Sequence, residues 1–327
     1  MGARKRAARA DDFFNTLQRV TEAYLTRRAR KKRIHKEKQA KKHPVVDWLE
    51  AFIWAAGFVL LVNQYALQAY QIPSGSMIDT LLIGDHVFVN KIIYGPELLP
   101  GIAKIKSPFK PKRNDVIIFE NPEYKPNPIG PVFDRAQRII YMLTVSMVDI
   151  DRDEKGEPKA HFLIKRAVGM PGDRFINNDG ELMVRFAGET RFVSEREYNK
   201  ARGWNHHISR LIDPSVYPDV KAAAKLAAFS YIGIGAPLET AKNVNEITFD
   251  TTWLSVMRGA YPHDSRYALL LARRTAGWYV SAGRILPLGD NRDNSHDGRY
   301  FGPVKESKVL GKGAFKYWPL NRIGTIK

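Results

Sequence analysis

QIPSGSMIDTLLIGDHVFVNK, residues 71–91, is where the chain changes character. It grows out of a long apolar run, DWLEAFIWAAGFVLLVNQYALQAYQIP, and leads into short runs rich in β-branched and aromatic residues. HVFVNKIIYG, DVIIFE, HFLIKRAV, ELMVRFAG, GWYVSAGRILPLGD and GKGAFKYW share this texture, punctuated by Gly, Pro, Asn and Asp. Such a pattern predicts a mostly β, mainly antiparallel domain. Two segments interrupt it. Residues 96–160 hold Pro-rich loops and the apolar run IIYMLTVSMV (139–148), which is too short to span a bilayer and suits either a core or a surface dipping into lipid headgroups. Residues 177–285 include EREYNKARGW, VKAAAKLAAF and an amphipathic region near Tyr267–Arg274, which predicts an inserted α+β subdomain. The expected organisation is a head over 1–44, an anchor over 45–70, a β domain in two parts (71–176 and 286–327), and the insert between them.

A chain of 327 residues can bury a sizeable core, as two domains or as one with a large insertion. With 52 Lys+Arg against 34 Asp+Glu the net charge is +18, which points to an anionic partner, either nucleic acid or an acidic lipid surface. The distribution is more informative than the sum: residues 1–44 carry fifteen Lys/Arg against Asp11, Asp12, Glu22 and Glu37, a net +11 of that +18. From Trp48 to about Tyr70 the apolar stretch approaches the ~20 residues needed to cross a bilayer. A buried helix of a soluble protein is the alternative, but the Lys/Arg crowding on one side, and Trp48, Trp54, Tyr65 and Tyr70 toward the ends, favour an N-terminal transmembrane helix. The crowded side then faces the cytoplasm and everything after Tyr70 lies outside. About 44 residues precede the run and Leu67-Gln68-Ala69 is an imperfect cleavage site, so the span reads as a retained anchor. Within the head, Phe13, Phe14, Leu17, Val20 and Tyr24 recur at helical spacing, as in an interfacial helix or a solvated arm. The chain has no cysteine, which excludes disulfides, thiol catalysis and cysteine-ligated zinc.

A catalytic serine needs a base, usually histidine. Of eight histidines only His86, His161 and His296 lie in motif-like segments, and none has a carboxylate orienter beside it in sequence. Lysine is the other choice. Lys165 lies in HFLIKRAVGMPGDRF, a strand followed by a turn, where alternation puts it on the face of Leu163 and Ala167 and sends Arg166 to the face of Ile164 and Val168. A lysine among apolar neighbours loses hydration and its pKa falls, so that it can accept a serine proton; a surface lysine in a strand is the plainer reading. In PSGSM, Pro73 restrains the backbone and Gly75 leaves room for close approach, so Ser76 can be presented beside Ser74. The pair suggests a nucleophile with an oxyanion donor, the Ser76 amide being a second donor; a Ser/Gly turn after a helix is the plainer reading. LGDNRDNSHDGRYFG (288–302) invites a calcium reading through Asp293, Ser295, Asp297 and Gly298, yet the bidentate acid due at position twelve is Val304. A rigid hydrogen-bonded loop fits better, with Asp290, Arg292 and Asp297 pairing internally and Ser295 holding another group.

The three segments PSGSMIDTLLIGDHVFVNK, KRAVGMPGDRF and GDNRDNSHDGRYFG, in this order after an N-terminal span, strongly resemble bacterial type I signal peptidase, the membrane-bound Ser/Lys protease family S26. They cover about a sixth of the chain, so the resemblance says little about the insert. It implies a signal-peptidase/LexA-like antiparallel β catalytic domain with Ser76 as nucleophile and Lys165 as general base. Ser74 and the Ser76 amide become the oxyanion donors and Ser295 the hydroxyl that orients the lysine. Asp290, Arg292, Asp297 and Arg166 take structural positions of the motifs. The family usually has proline where this chain has Asp79, a departure that leaves the serine loop less restrained and bears on efficiency or substrate preference. Further implications are secretory preproteins as substrates, cut after signal peptides with small residues at the first and third positions before the cut, and no metal or cofactor. The resemblance also implies single-pass residence in the bacterial cytoplasmic (inner) membrane, with the catalytic domain on the outer side. The expected partners are preproteins and a bilayer, its anionic lipids meeting the basic head, with no nucleic acid and a monomeric chain. A LexA-like self-cleaving repressor is the nearest rival, but it predicts a compact helix-turn-helix before the serine, where this chain has an apolar span. An anchored binding protein that kept the fold and lost activity is the second.

Overall fold

The computed structural model describes residues 18–34, 43–99, 103–124, 130, 132–134, 136–137, 140, 159–204, 208, 212–235 and 247–326. Apart from Ile140, the 139–148 run lies outside these, as do Phe13, Phe14 and Leu17 of the head. The chain divides into two compact units, Met1–Val59 and Leu60–Lys327.

The first unit holds a helix over 18–34 (α1), on which Val20 and Tyr24 are exposed, and most of helix α2, Pro44–Tyr65. Pro44 opens α2, where its missing N–H would have no intrahelical partner in any case. This helix is long and apolar enough to cross a membrane, and its large side chains are out in the open, with Trp48 and Trp54 each 79% exposed. None of the residues in an 18-residue window of this helix is buried in the protein, whereas those of an apolar core helix would be. The helix stops at Tyr65, short of the expected end at residue 70: Leu67–Gln71 is strand β1. Polar side chains mark the change, since Gln64 Nε2 donates to the Glu97 carbonyl at 3.0 Å and Gln68 Oε1 accepts from Lys91 Nζ at 2.9 Å, both buried.

In the second unit the strands are β1, β2 (His86–Asn90), β3 (Glu97–Leu99), β4 (Ala103–Lys104), β5 (Val116–Glu120), β6 (Phe162–Gly169), β7 (Arg174–Asn178), β8 (Glu181–Arg185), β9 (Val193–Ser194), β10 (Trp278–Tyr279), β11 (Arg284–Leu288), β12 (Val304–Lys305), β13 (Val309–Trp318) and β14 (Gly324–Thr325). The main sheet runs β1-β2-β13-β5-β6-β11-β12, with β14 also on β13, and its pairings are antiparallel. β5 is covered on both faces, which is why DVIIFE reads as a continuous apolar run: Val116 and Ile118 join Met77, Leu81, Val87 and Val89, while Ile117 and Phe119 join Ala167, Ile285 and Val309. The alternation expected of β6 is present, with Leu163 and Ala167 in the second of these clusters and Ile164 in the first.

Between the adjacent strands β6 and β11 the chain forms a second antiparallel sheet, β10-β7-β8-β9, and helices α3 (Glu195–Ala201), α4 (Tyr217–Tyr231), α5 (Ile247–Ala260) and α6 (Ser265–Ala276). The amphipathic stretch near Tyr267–Arg274 is α6, opened by Asp264, whose side chain accepts from the Arg266 amide at 3.0 Å. Part of this region shares a core with the main sheet. Phe175, Leu182, Val184, Ile247 and Trp278 pack in one cluster with Val168 of β6 and Leu286 and Leu288 of β11. Leu286 is fully enclosed at that junction. Leu286→Ala is expected to destabilise the folded unit by about 2–5 kcal/mol, seen as a lower denaturant midpoint; a loss below ~0.5 kcal/mol would show the junction to be loosely packed.

Candidate active site

Ser76 sits in a single 3-10 turn, Gly75–Met77, between β1 and β2. Met77 and Leu81 fix this segment to the sheet by packing against Val87 and Val89. From the other side Asn291 braces it: the Asn291 amide donates to the Ser76 carbonyl at 3.1 Å, and its side-chain Nδ2 to the Gly75 carbonyl at 3.2 Å. Lys165 Nζ donates to Ser76 Oγ at 2.6 Å in buried surroundings, and Ser74, which is exposed, reaches Ser76 Oγ at 3.5 Å. The three histidines of the motif-like segments are engaged elsewhere: His296 with Glu123 at 2.6 Å, His86 with the Tyr317 hydroxyl at 3.5 Å, and His161 against the Tyr124 ring.

Lys165 is only 4% exposed. Burial lowers its pKa from 10.5 to about 8, against the opposing pull of the Asp297 and Asp290 charges and with a further push down from Arg299. Its neighbour Arg166 is fully buried and directed elsewhere. Nε and Nη2 of Arg166 grip Asp290 bidentately at 2.8 and 2.7 Å, Nη2 reaches Thr80 Oγ1 at 3.0 Å, and Nη1 donates to the Asn114 carbonyl at 2.9 Å. Thr80 in turn donates to Asp290 at 2.5 Å, so one guanidinium ties the serine segment, β6 and the loop after β11 together. Burial raises the pKa of Asp290, but the hydrogen bonds and charge of Arg166 outweigh it and hold the carboxyl below its usual range.

The loop after β11 is rigid and hydrogen-bonded, but Asp290, Arg292 and Asp297 do not pair among themselves as expected. Asp290 belongs to Arg166, Asp297 to Arg299 (Nε at 3.0 Å), and Arg292 to Glu195 of α3 (2.6 Å). The reason lies in the tertiary packing: Arg166 of β6 and Glu195 of α3, both distant in sequence, bring opposite charges to Asp290 and Arg292, while Asp297 is met by Arg299 two residues on. Asp297 is fully buried and also accepts from the Gly289 amide at 2.9 Å; burial raises its pKa, and Arg299 with the backbone donors brings it down below the usual value. Asp293 Oδ2 takes the Ile212 amide at 2.8 Å. Ser295 is buried against Gly289, where an added Cβ would come within 2.2 Å of its Oγ and 2.5 Å of the Ser76 carbonyl oxygen, so only glycine fits there. The Ser295 hydroxyl makes no hydrogen bond to Lys165. Asp79 is exposed and follows a cis Ile78–Asp79 peptide. Sequence reasoning missed Thr80, Glu195 and Arg299 as members of the network. Arg299 stands two residues from Asp297 and was within reach; nothing local marks Glu195.

The segments that carry the site span most of the chain, and so does the match to known proteins. Residues 45–318 match the family model described as signal peptidase, peptidase S26, and the chain belongs to that family. It is therefore a peptidase of the signal peptidase I type. Signal peptidase I of Haemophilus influenzae is 25% identical over 299 residues, covering 89% of this chain and 75% of its own length. That of Pseudomonas fluorescens is 26% identical over 292 residues, covering 86% and 75%. A crystal structure of a signal peptidase I from Enterococcus faecalis aligns with 62% of this chain and 96% of its own at 20% identity, with a TM-score of 0.24, too loose to add to the assignment.

The depressed pKa of Lys165 has a consequence for stability. Between about 8 and 10.5 the unfolded chain holds a proton that the folded one has released, so stability rises with pH across that window, and below it the buried charge works against folding. Lys165→Met is expected to melt at a higher temperature than wild type at pH 7, the gap narrowing by pH 10. A variant that melts lower at both pH values would contradict this.

Proposed function

We propose that this peptidase is a membrane-anchored serine endopeptidase that removes N-terminal signal peptides from secreted preproteins through a Ser76/Lys165 dyad. The observation that carries the reading is the buried 2.6 Å contact between Lys165 Nζ and Ser76 Oγ, with the lysine pKa lowered to about 8. Neutral Lys165 takes the hydroxyl proton of Ser76 as Oγ attacks the scissile carbonyl carbon. The oxyanion is received by the Ser76 amide and the Ser74 hydroxyl. The Lys165 ammonium returns its proton to the leaving amine, the C–N bond breaks, and the acyl group stays on Ser76. Water, deprotonated by Lys165, then attacks the ester carbon, and the Lys165 ammonium returns that proton to Ser76 Oγ as the acyl C–O bond breaks, releasing the carboxylic acid product and the free serine. Ser295 orients the lysine during turnover; in the structure its hydroxyl lies beside Gly289 and makes no hydrogen bond to Lys165. Arg166, Asp290, Arg292 and Asp297 hold the loop that frames these groups. No metal or cofactor enters these steps.

Helix α2 serves as the anchor, with the basic head in the cytoplasm near anionic lipid and the unit carrying Ser76 outside, as a monomer. Residues 71–176 and 286–327 form the catalytic part and 177–285 the insert. Substrate binds extended beside a strand edge, with shallow pockets reading alternate side chains. Ser76 lies eleven positions beyond the end of α2 at Tyr65, at most ~36 Å of extended chain, which limits how far the nucleophile stands from the membrane surface where signal peptides end.

With detergent-solubilised enzyme and a preprotein, Ser76→Ala and Lys165→Ala are each expected to lower cleavage by at least ~10³-fold; undiminished cleavage by either would remove the dyad. On spheroplasts, added protease is expected to reach residues beyond Tyr70 and spare the head, and protection of the large unit would reverse the orientation.

A further inference from the structure

The catalytic loop is gripped by the inserted region at three places. Near its start Arg292 donates to Glu195 Oε1 at 2.6 Å, the backbone amide of Ile212 donates to Asp293 at 2.8 Å, and toward its end Arg274 and Trp278 Nε1 donate to the Arg299 carbonyl at 2.5 and 3.1 Å. The first of these is a salt bridge sealed from solvent, Glu195 and Arg292 being 5% and 2% exposed. It also leads to the site. Arg292 Nη1 donates to the Gly289 carbonyl, the Gly289 amide donates to Asp297 at 2.9 Å, and Gly289 leaves no room for a Cβ beside Ser295 Oγ and the Ser76 carbonyl.

We propose that Glu195 is a positioning residue for the dyad: by holding Arg292, and through it Gly289, it fixes the distance between the loop that carries Ser295 and Asp297 and the turn that carries Ser76. The inference rests on the Ser76/Lys165 reading. It gives the insert a role in turnover, since the group that orders the loop is delivered by α3. A buried ion pair is weak evidence for stability by itself, because apolar replacements of the same volume often serve as well. Placement of reacting groups is where such a pair has an effect that packing cannot supply, a misplacement of ~1 Å costing on the order of 10²-fold in rate.

The test uses full-length enzyme in detergent and a preprotein, with kcat and KM separated and the melting temperature of each variant recorded. Glu195→Ala is expected to lower kcat by about 10–100-fold with KM within about twofold, at temperatures where it remains folded. Glu195→Asp should recover part of the loss, and Glu195→Ala/Arg292→Ala should be no slower than Arg292→Ala alone, since the two act in one chain. If the alanine variants do not fold, Glu195→Gln, which keeps shape and an acceptor, is expected to show the same fall in kcat at smaller size. Unchanged kcat in Glu195→Gln and Glu195→Ala, additive losses in the double variant, or a change in KM alone would overturn the proposal. Ser76→Ala runs alongside. An inactive Ser76→Ala with unaffected Glu195 variants overturns this inference and leaves the dyad standing, whereas an active Ser76→Ala overturns both.

Discussion

Enclosing the Lys165 ammonium in protein removes most of its hydration, and the surrounding structure is what that cost demands. An unpaired buried cation is expelled, unfolds the site or gives up its proton. Here the third outcome is arranged within limits. Asp297 and Asp290 pull the lysine toward its charged form, but each is already engaged by an arginine, Arg299 and Arg166, so neither is free to make Lys165 a permanent ion pair. The balance leaves the lysine with a pKa of about 8, beside a hydroxyl 2.6 Å away.

Keeping these charges apart yet buried requires a rigid frame, and the antiparallel sheet supplies it. β5 is covered on both faces, and β6 next to it sends Lys165 and Arg166 to different partners from consecutive residues. β11 then delivers the polar loop to the serine turn, where Asn291 ties both Gly75 and Ser76 by their carbonyls. The parts come from far apart, Thr80 meeting Asp290 across 210 positions, and only closure of the sheet assembles them. The inserted region completes the frame through a shared apolar cluster with β6 and β11 and through its bonds to the loop.

What depends on local pattern was legible in the chain. DVIIFE and HFLIKRAV announce strands, the alternation around Lys165 separates it from Arg166, and the amphipathic stretch near Tyr267–Arg274 forms α6. Ser74, Ser76, Lys165 and the 288–302 loop were singled out as residues, and the structure brings them together. Partners set by three-dimensional packing were not legible. Arg292 looked like a partner for the aspartates beside it, and its true partner, Glu195, begins a helix with no motif of its own. The end of α2 was misjudged for a related reason: ALQAY is apolar enough to continue the helix, but the strand pairing with β2 and the buried amide of Gln68 draw it into the sheet.

The proposed chemistry depends on the ionisation of one side chain, Lys165, in the absence of substrate. Its most direct measurement is an NMR titration of full-length enzyme with ¹³C-labelled lysine, the Lys165 Cε signal being assigned by its loss in Lys165→Met. A midpoint near 8 is the result this structure predicts; a midpoint near 10.4, the value of a solvated lysine, would contradict it.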